Sequence, residues 1–205
     1  MDNLIKATEA TDKHIYQLFL KQQNKDYKLI APEKTECSYD LTQLTDTSKD
    51  LIEIKARHKY SFERFDDIEI ETYKINDLTI HKAKEGADKV YVCAMYPNDN
   101  LIIVIDISNI DYDGDDVVKK YANWHTLYGL KNDKKLKVML PLKIKQKVDN
   151  QLNTKTYQYE FPNLKETYIN TFKKYCKKYN VPENIMKEEL KAFYRISSSQ
   201  ISFQV

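Results

Sequence analysis

The sequence predicts an α/β fold in a single domain, with helices flanking a mixed central sheet. Three observations support this prediction. The chain has 205 residues, of which 41% are hydrophobic, which is enough for one well-buried core. Its patterns follow the order helix, strand, strand, helix, strand, strand, which is typical of a sheet covered by helices. Only three glycines and five prolines occur, a composition that excludes collagen-like and disordered chains.

The first predicted elements are a helix and a strand hairpin. Residues 11–23 place apolar side chains on one helical face, and Thr11 is the expected N-cap. Two segments, 36–44 and 51–57, have the composition of strands and are joined by the turn-forming sequence TDTSKD. We therefore expect them to pair as an antiparallel hairpin.

A second helix and a second hairpin follow. Residues 69–85 repeat apolar residues and lysines at helical spacing, and Gly86 stands where a helix C-cap is expected. Val90–Tyr96 and Leu101–Ile107 are predicted strands, separated by a Pro-Asn-Asp-Asn turn. Their nearly continuous apolar character indicates central strands that are covered on both faces.

The rest of the chain contains weaker patterns. They predict a short helix at Val117–His125, strands at Lys137–Ile144 and Thr156–Phe161, and two helices at about 164–180 and 182–195. No internal repeat or low-complexity linker interrupts the sequence. We expect one domain, with a core over about residues 10–125 and a C-terminal extension of lysine-rich strands and helices over about 135–205.

The charge balance limits the kind of partner that the protein can bind. The formal net charge is +2, so any contact with a polyanion must come from a local patch. Of the 33 basic residues, only Arg57, Arg64 and Arg195 are arginine. Because lysine lacks the bidentate fork of arginine, recognition of guanine by arginine is not expected.

Cysteine usage and hydropathy favour a cytoplasmic protein. Cys37, Cys93 and Cys176 are far apart and never form a CxxC pair, so a disulfide scaffold or a structural zinc site is not expected. The N-terminal segment lacks the apolar region of a secretory signal. The longest apolar stretch, Leu101 to Ile105, is too short to span a bilayer.

An acid-x-Lys pattern occurs four times, and its context separates the copies. Three copies lie in polar, loop-like stretches or within an amphipathic helix. Only Glu53-Ile54-Lys55 lies in a strand pattern, where Glu53 and Lys55 point to the same face. Residues two apart on a strand are roughly 6.5–7 Å apart. On a covered face unpaired charge is costly, so another group must compensate these two.

Asp40 is the candidate partner from the preceding strand. The predicted hairpin brings Asp40 alongside Glu53, and two carboxylates at short distance repel each other unless a cation lies between them. Mg²⁺ suits such a site because it takes one or two carboxylates and keeps several waters. Lys55 can then orient the attacking water or neutralise charge that develops on phosphate. These residues therefore have the parts needed for metal-assisted phosphodiester hydrolysis.

Asp40 followed by Glu53-x-Lys55, within this order of elements, resembles the PD-(D/E)xK nuclease superfamily. The resemblance covers roughly residues 10–107 and implies the restriction-endonuclease-like αββαβ fold. It also implies a metal-dependent endonuclease that hydrolyses DNA. In such an enzyme Asp40 and Glu53 would bind Mg²⁺ or Mn²⁺, the backbone carbonyl of Ile54 would add a ligand, and Lys55 would be the catalytic lysine.

The resemblance suggests further residues and one departure. Members often add an acidic residue from the first helix, for which Glu9 is the candidate. They also often carry a lysine or glutamine on the helix after the motif, for which Lys74 and Lys82 are the options. Tyr39 stands where many members have proline, which lowers the specificity of the match. Restriction-type nucleases commonly work as dimers, so a homodimer is left open.

The segment TFKKYCKKYN offers weaker candidates for phosphate contact. Its lysines Lys173, Lys174 and Lys177 surround an apolar helical face and could follow a nucleic-acid backbone without regard to its sequence. The same pattern also describes an ordinary amphipathic helix with a solvated basic side. Both interpretations stay open.

Three alternatives to a DNA endonuclease are also left open. The charged residues of the two strands could form a structural ion-pair cluster on an exposed sheet face. A nuclease-like core could bind nucleic acid or take part in an assembly without cleaving anything. The substrate could also be RNA, in which case the extra histidine ligand of related endoribonucleases would have to be His14.

Overall fold

The helices and strands come from a computed structural model that describes residues 2–25, 27–32, 39–58, 61–62, 67–110, 118–123, 134–141 and 155–191. The helices are α1 (Asp2–Gln22), α2 (Thr72–Glu85) and α3 (Leu164–Lys178), followed by a helical segment at residues 183–191. The strands are β1 (Lys28–Ile30), β2 (Leu41–Leu44), β3 (Lys49–Ala56), β4 (Asp67–Glu71), β5 (Lys89–Tyr96), β6 (Leu101–Asp106), β7 (Val118–Asn123), β8 (Lys134–Pro141) and β9 (Lys155–Glu160). None of the described helices is long and apolar enough to cross a membrane.

A six-stranded mixed sheet forms the centre of the fold. Its strand order is β1-β2-β3-β5-β6-β9. Strands β3 and β5 pair in parallel, and the other neighbours pair antiparallel. A separate three-stranded sheet has the order β4-β8-β7. The predicted fold class, a mixed central sheet flanked by helices, is confirmed.

Two hydrophobic cores cover the two faces of the central sheet. The side chains of β5 alternate between them, because successive side chains of a strand point to opposite faces. Cys93 and Met95 belong to the core that contains α1 and α3, whereas Val92 and Ala94 belong to the core that contains α2. All four are completely buried. The central position predicted from the apolar run of this strand is therefore confirmed.

The C-terminal helix α3 packs against α1 within one of these cores. Tyr168 and Phe172 of α3 belong to the same buried cluster as Ile15 and Phe19 of α1. Burying one such side chain stabilises a fold by about 1.5–3 kcal/mol. Strand β9 also joins the central sheet beside β6. The helical extension at the C-terminus thus completes the core that holds α1.

The first helix is longer than the sequence pattern predicts. It begins at Asp2 instead of near Thr11 because Leu4 and Ala7 continue the buried face upstream. Thr11 is not an N-cap. It is buried inside the helix, and its hydroxyl donates to the carbonyl of Ala7 over 2.7 Å. Such a bond to the preceding turn satisfies a threonine in a helix interior.

Both predicted hairpins are confirmed. Strands β2 and β3 pair antiparallel, with Leu41 opposite Ile52. The segment predicted to start this hairpin at residue 36 becomes strand only at Leu41, and residues 36–38, which include Cys37, lie outside the described part of the chain. Strands β5 and β6 are joined by a short 3₁₀ turn over Pro97–Asp99.

The prediction for residues 69–85 was wrong at its start and right at its end. The first residues form β4, and α2 begins at Thr72. Strand β4 pairs with β8, about seventy residues further along the chain, so no local pattern could indicate this pairing. Gly86 ends α2 with a positive φ of 61°, as expected for a glycine C-cap.

The helix predicted at Val117–His125 was wrong. Residues Val118–Asn123 form β7, which pairs antiparallel with β8. The partner strand decides the conformation here, because a weakly patterned segment has no strong local preference. Strands β8 and β9 confirm the predictions near Lys137 and Thr156, and residues 142–144 and 192–195 lie outside the described ranges.

Candidate active site

The carboxylate of Asp40 is held against the backbone of β3. Asp40 immediately precedes β2, and its N–H donates to the carbonyl of Ile52 over 2.8 Å. Its Oδ2 accepts a hydrogen bond from the N–H of Ile54 over 2.7 Å. Because Leu41 stands opposite Ile52 in the antiparallel pair, the residue before Leu41 lies next to Glu53. Main-chain geometry therefore fixes Asp40 beside the acid-x-Lys segment.

Glu53 is a buried carboxylate with two lysine partners. Its side chain is 2% exposed, and the Nζ atoms of Lys55 and Lys74 each lie 2.6 Å from its Oε1. Lys55 stands two residues along β3 on the same face, whereas Lys74 comes from the first turn of α2. Lys55 also lies 3.9 Å from Oε2 of Glu71. The two lysines compensate a negative charge that would otherwise be costly to bury.

The pKa values show how these charges act on one another. Burial acts to raise the pKa of Glu53, but the charges and hydrogen bonds of Lys55 and Lys74 outweigh it, so this pKa is lowered. Burial acts to lower the pKa of Lys74, but the charge of Glu53 and the hydrogen bond to it raise this pKa. Glu53 and Lys74 are therefore both charged at neutral pH.

Asp40 is in a less favourable environment. Burial and the negative charge of Glu53 raise its pKa to about 6. The N–H of Ile54 and the charges of Lys74 and Lys55 act in the opposite direction, without cancelling the effect. The position is thus one where a further positive charge would stabilise the ionised carboxylate.

Asp12 of α1 also interacts with this group. The hydroxyl of Tyr168 on α3 donates to its carboxylate. Burial raises the pKa of Asp12 to about 7, and the hydrogen bond from Tyr168 opposes this rise. The charges of Asp40 and Glu9 raise the pKa further, whereas Lys55 lowers it. Asp12 is therefore electrostatically coupled to Asp40, which precedes β2, and to Lys55 of β3.

Together these residues carry an excess of negative charge. The carboxyl groups and ammonium groups that interact are those of Asp12, Asp40, Glu53, Glu71, Lys55 and Lys74, which we call the β3 cluster. Within this set of described residues, four carboxyl groups interact with two ammonium groups, so the carboxyl groups are in excess. The raised pKa values of Asp12 and Asp40 are consistent with this imbalance. A divalent cation would offset part of this negative charge.

Two carboxylates of the β3 cluster are suitable ligands for Mg²⁺ or Mn²⁺. Mg²⁺ is held in proteins by one or two carboxylates and keeps several waters, and Asp40 and Glu53 offer two carboxylates. In the described part of the chain, no three His, Cys, Asp or Glu side chains are placed so that they could hold an ion together. The cluster therefore suits a metal site with two carboxylate ligands. The raised pKa of Asp40 supports this site, because a metal ion would stabilise its ionised form.

Several candidate residues from the sequence lie elsewhere. Glu9 is exposed on α1, and the acid of this helix that interacts with Asp40 is Asp12. Lys82 is on α2, but its Nζ donates to the carbonyl of Ser108 over 3.1 Å. The lysines expected to contact phosphate are all exposed on α3: Lys173, Lys174 and Lys177. Of the options for a lysine on the helix after the motif, the structure thus places Lys74 at Glu53.

His14 lies on a different side of α1 from Asp12. Two residues along a helix correspond to a rotation of about 200°. Its ring packs edge-on against Tyr175 of α3, with 6.0 Å between the ring centroids. Burial and the charges of Lys174 and Lys21 lower its pKa. These contacts give no support to His14 as a ligand beside Asp40.

Sequence reasoning missed three residues of this region. Asp12 has Ile15, Tyr16 and Phe19 at helical spacing after it, so an acid on the apolar face of α1 was the available signal. Glu71 was missed because residues 69–71 were predicted to be helical, whereas they belong to β4. The position of Tyr168 had no local signal, because its contact with Asp12 joins residues 156 positions apart.

The similarity of this chain to known proteins is weak and structural. No family model matches the sequence, and no curated protein matches it significantly. The chain is similar in structure to Hjc, a Holliday junction resolvase from the archaeal hyperthermophile Archaeoglobus fulgidus. The likeness covers 60% of this chain and 84% of that chain, at 12% identity and a TM-score of 0.37. No activity follows from so low a TM-score. By its own strand order and register, the chain has a mixed sheet flanked by helices.

Proposed function

We propose that this chain is a metal-dependent endonuclease that hydrolyses phosphodiester bonds of DNA. The observation that supports the proposal best is the pairing of Asp40 with Glu53. The charge of Glu53 on β3 raises the pKa of Asp40, which immediately precedes β2. Nζ of Lys55 lies 2.6 Å from Oε1 of Glu53. Its ammonium group is therefore close to any metal ion or water that the two carboxylates bind.

Asp40 and Glu53, with the backbone carbonyl of Ile54, would hold Mg²⁺ or Mn²⁺, which would supply Lewis-acid polarisation of the phosphate and a lower pKa of bound water. The contact of Lys55 with Glu53 uses one of the three N–H donors of its ammonium group. The same group can therefore also orient an attacking water or donate to a non-bridging phosphate oxygen. Negative charge grows on those oxygens as water attacks phosphorus, so a fixed cation stabilises the transition state.

Lys74 acts as a positioning residue in this proposal. It holds Oε1 of Glu53 from the side of α2 over 2.6 Å and so fixes the rotamer of the carboxylate. Lys55 is held in turn between Glu53 and Glu71. Side chains that are held by such contacts need little reorganisation when substrate binds.

The exposed lysines of α3 would supply contacts to the phosphate backbone. Lys173, Lys174 and Lys177 are exposed, so their charges are accessible to a polyanion. Contacts of this kind add affinity without reading sequence. The proposed substrate is therefore DNA bound mainly through its backbone.

One observation favours a second candidate function, a nuclease-like module that binds nucleic acid without cleaving it. Both lysines already satisfy Oε1 of Glu53. A carboxylate that is neutralised in this way gains less from a metal ion. Metal-dependent cleavage distinguishes the two candidates.

The test is a cleavage assay on plasmid DNA, single-stranded DNA and labelled RNA, with Mg²⁺, Mn²⁺ or EDTA. We expect cleavage of DNA that requires the metal and falls at least a hundredfold in Glu53→Gln, Asp40→Asn and Lys55→Ala. Glu160→Gln and Lys28→Ala, which change exposed residues of β9 and β1, are the matched controls and should cleave like the wild type.

Each other outcome has a distinct meaning. Cleavage that persists unchanged in Glu53→Gln and Lys55→Ala would show that the β3 cluster is not the active site. Binding of DNA without cleavage of any substrate would favour the non-catalytic module. Cleavage of RNA alone would keep the chemistry and change the substrate.

A further inference from the structure

Helix α2 has a contact with the region of the candidate site at each of its ends. In its first turn, Lys74 holds Glu53 of β3. In its last turn, Glu85 accepts a hydrogen bond from the hydroxyl of Tyr39 over 2.6 Å. Tyr39 is the residue directly before Asp40. The same helix is therefore connected to Glu53 by an ion pair and to the segment that carries Asp40 by a tyrosine.

Tyr39 is anchored by the packing of its ring as well as by its hydroxyl. It is 6% exposed and belongs to the buried cluster that contains Ile75 and Leu78 of α2. Its ring also packs edge-on against His81, with 5.5 Å between the ring centroids. A buried tyrosine normally gives its hydroxyl a hydrogen-bond partner, and here Glu85 is the acceptor. The side chain of Tyr39 is therefore fixed against α2.

Glu85 is held from a second direction by Lys49 at the start of β3. Nζ of Lys49 lies 3.1 Å from Oε2 of Glu85 and donates to the backbone carbonyl of Glu85 over 3.0 Å. The hydrogen bond from Tyr39 and the contacts of Lys49 lower the pKa of Glu85, although burial opposes them. The acceptor is therefore ionised at neutral pH, and a hydrogen bond to an ionised acceptor is stronger than one between neutral groups.

Asp40 lies at the end of the pairing between β2 and β3. The strand register begins with Leu41 opposite Ile52. Asp40 adds a bond from its N–H to the carbonyl of Ile52, and its carboxylate accepts one from the N–H of Ile54. Bonds at the end of a ladder open at the lowest cost in free energy. An anchor at Tyr39 raises this cost, because the chain before Asp40 cannot swing away from β3 while the tyrosine stays bound to α2.

We infer that Tyr39 and Glu85 are positioning residues, which hold the carboxylate of Asp40 against β3 beside Glu53. Both act through the backbone of Asp40 and neither contacts metal or substrate. A pair of carboxylates that is already in place binds a cation with less ordering, so the anchor increases metal affinity. The effect on metal binding rests on the proposed function, whereas the contact of Asp40 with β3 does not.

The first test measures the exchange of backbone amide hydrogens by NMR, in EDTA. The N–H of Ile54 donates to the carboxylate of Asp40, so its exchange rate reports on this contact. We expect Tyr39→Phe, which removes the hydroxyl and keeps the ring, to speed this exchange about fivefold. The N–H of Thr45, which donates to Ser48 at the turn of the same hairpin, should exchange at the wild-type rate.

Variants of Glu85 show whether the effect comes from this hydrogen bond. Glu85→Ala removes the acceptor and should speed the exchange at Ile54 about as much as Tyr39→Phe does. Combining the two substitutions should add little, because each removes the same bond. Glu85→Gln keeps an acceptor oxygen and should exchange at a rate close to that of the wild type. Tyr157→Phe, which removes the hydroxyl of a tyrosine that is 43% exposed, is the matched control.

The second test measures the binding of Mn²⁺ by isothermal titration, at a temperature where every variant is folded. We expect Tyr39→Phe and Glu85→Ala to bind Mn²⁺ about fivefold more weakly than the wild type, because Asp40 must then be ordered on binding. Glu85→Gln and Tyr157→Phe should bind it as the wild type does. A general loss of stability would not change the affinity of the folded protein, so the titration separates positioning from stability.

The two measurements distinguish a failure of the anchor from a failure of the proposed function. Unchanged exchange at Ile54 in Tyr39→Phe would overturn the inference, and so would equal acceleration at Thr45. Wild-type affinity for Mn²⁺ in Tyr39→Phe would overturn the role of the tyrosine in metal binding. Faster exchange at Ile54 in a protein that binds no Mn²⁺ would support the anchoring of Asp40 and contradict the proposed metal site.

Discussion

Nζ of Lys74 on α2 lies 2.6 Å from Oε1 of Glu53 on β3, and this ion pair joins the helix to the buried part of the sheet. The side chain of Glu53 is 2% exposed and that of Lys74 25%. A pair so little exposed is screened weakly by solvent. It therefore affects both the stability of the fold and the electrostatics of the proposed site.

Lys74→Met should destabilise the fold, because it removes the ammonium group and keeps an unbranched apolar side chain. Glu53 retains Lys55, so we expect a loss of about 1–3 kcal/mol in the free energy of unfolding. Urea denaturation in EDTA measures it. Lys84→Met, at an exposed position of the same helix, should change stability by less than about 0.5 kcal/mol. An equal effect of both substitutions would mean that the ion pair contributes nothing.

Divalent metal should raise the melting temperature through Asp40 and Glu53. Binding to the folded state alone stabilises a protein by mass action. We expect the shift produced by Mn²⁺ to disappear in Asp40→Asn and in Glu53→Gln, and to increase in Lys74→Met, where a competitor for Glu53 is removed. Thermal melting with and without Mn²⁺ measures the shift. An unchanged shift in both acid variants would place the metal elsewhere.

The stability of the protein should fall with rising pH because of Asp12. Its pKa in the folded state is about 7, above the ordinary value of 3.8. Between these values the folded chain holds a proton that the unfolded chain has released, so stability decreases as pH rises. We expect Asp12→Asn to lose less stability than the wild type between about pH 5 and about pH 8, by roughly 1–3 kcal/mol.

The contribution of Asp12 is measured as the difference in the pH dependence of stability between Asp12→Asn and the wild type. Asp40 acts in the same direction as Asp12, because its pKa is raised to about 6. His14 acts in the opposite direction over the same range, because burial lowers its pKa and the unfolded chain then binds more protons. Glu53 adds nothing above about pH 5, since its lowered pKa and its ordinary value of 4.5 both lie below. Urea denaturation in EDTA gives the values, and Asp46→Asn is the exposed control. Equal pH dependence in Asp12→Asn and wild type would contradict the prediction.

Tyr168→Phe should weaken the contact between α3 and α1. It removes the hydroxyl that donates to Asp12 and leaves the ring in place. We expect a loss of about 0.5–1.5 kcal/mol in the free energy of unfolding at neutral pH. The hydrogen bond also opposes the rise in the pKa of Asp12, so the decrease in stability with pH should extend to higher pH. Identical unfolding curves at each pH would contradict both statements.

The lysines of α3 should determine the salt dependence of DNA binding. Each phosphate contact that is lost lowers the slope of log K against log salt by about 0.9. We expect simultaneous replacement of Lys173, Lys174 and Lys177 by Gln to reduce this slope by about two to three. Fluorescence anisotropy with a labelled duplex at several salt concentrations measures it. The control variant carries the same change at three exposed lysines elsewhere: Lys6, Lys28 and Lys84. An equal reduction in both variants would mean that α3 is not the DNA-binding face.

Local patterns in the sequence predicted the central part of the fold. The apolar run of β5, the turn-forming residues between β2 and β3, and Gly86 after α2 all act within a few residues. These patterns could therefore be recognised without knowing which other element packs against them. Strands β4 and β7 depend instead on pairing with the distant β8, and both were assigned to helices. Pairing energy from a remote strand outweighed a weak local preference.

The sequence by itself determined that Asp40, Glu53 and Lys55 belong to one hairpin, because strand parity and a short turn leave few other arrangements. It could not determine which other side chains interact with these three residues. Only the tertiary structure shows that Lys74 of α2 contacts Glu53. It also shows that the acid of α1 that interacts with Asp40 is Asp12 and not Glu9. The physical reason is that helix packing on the sheet sets the rotation of each helix. Electrostatic coupling falls with distance in space and is independent of separation along the chain.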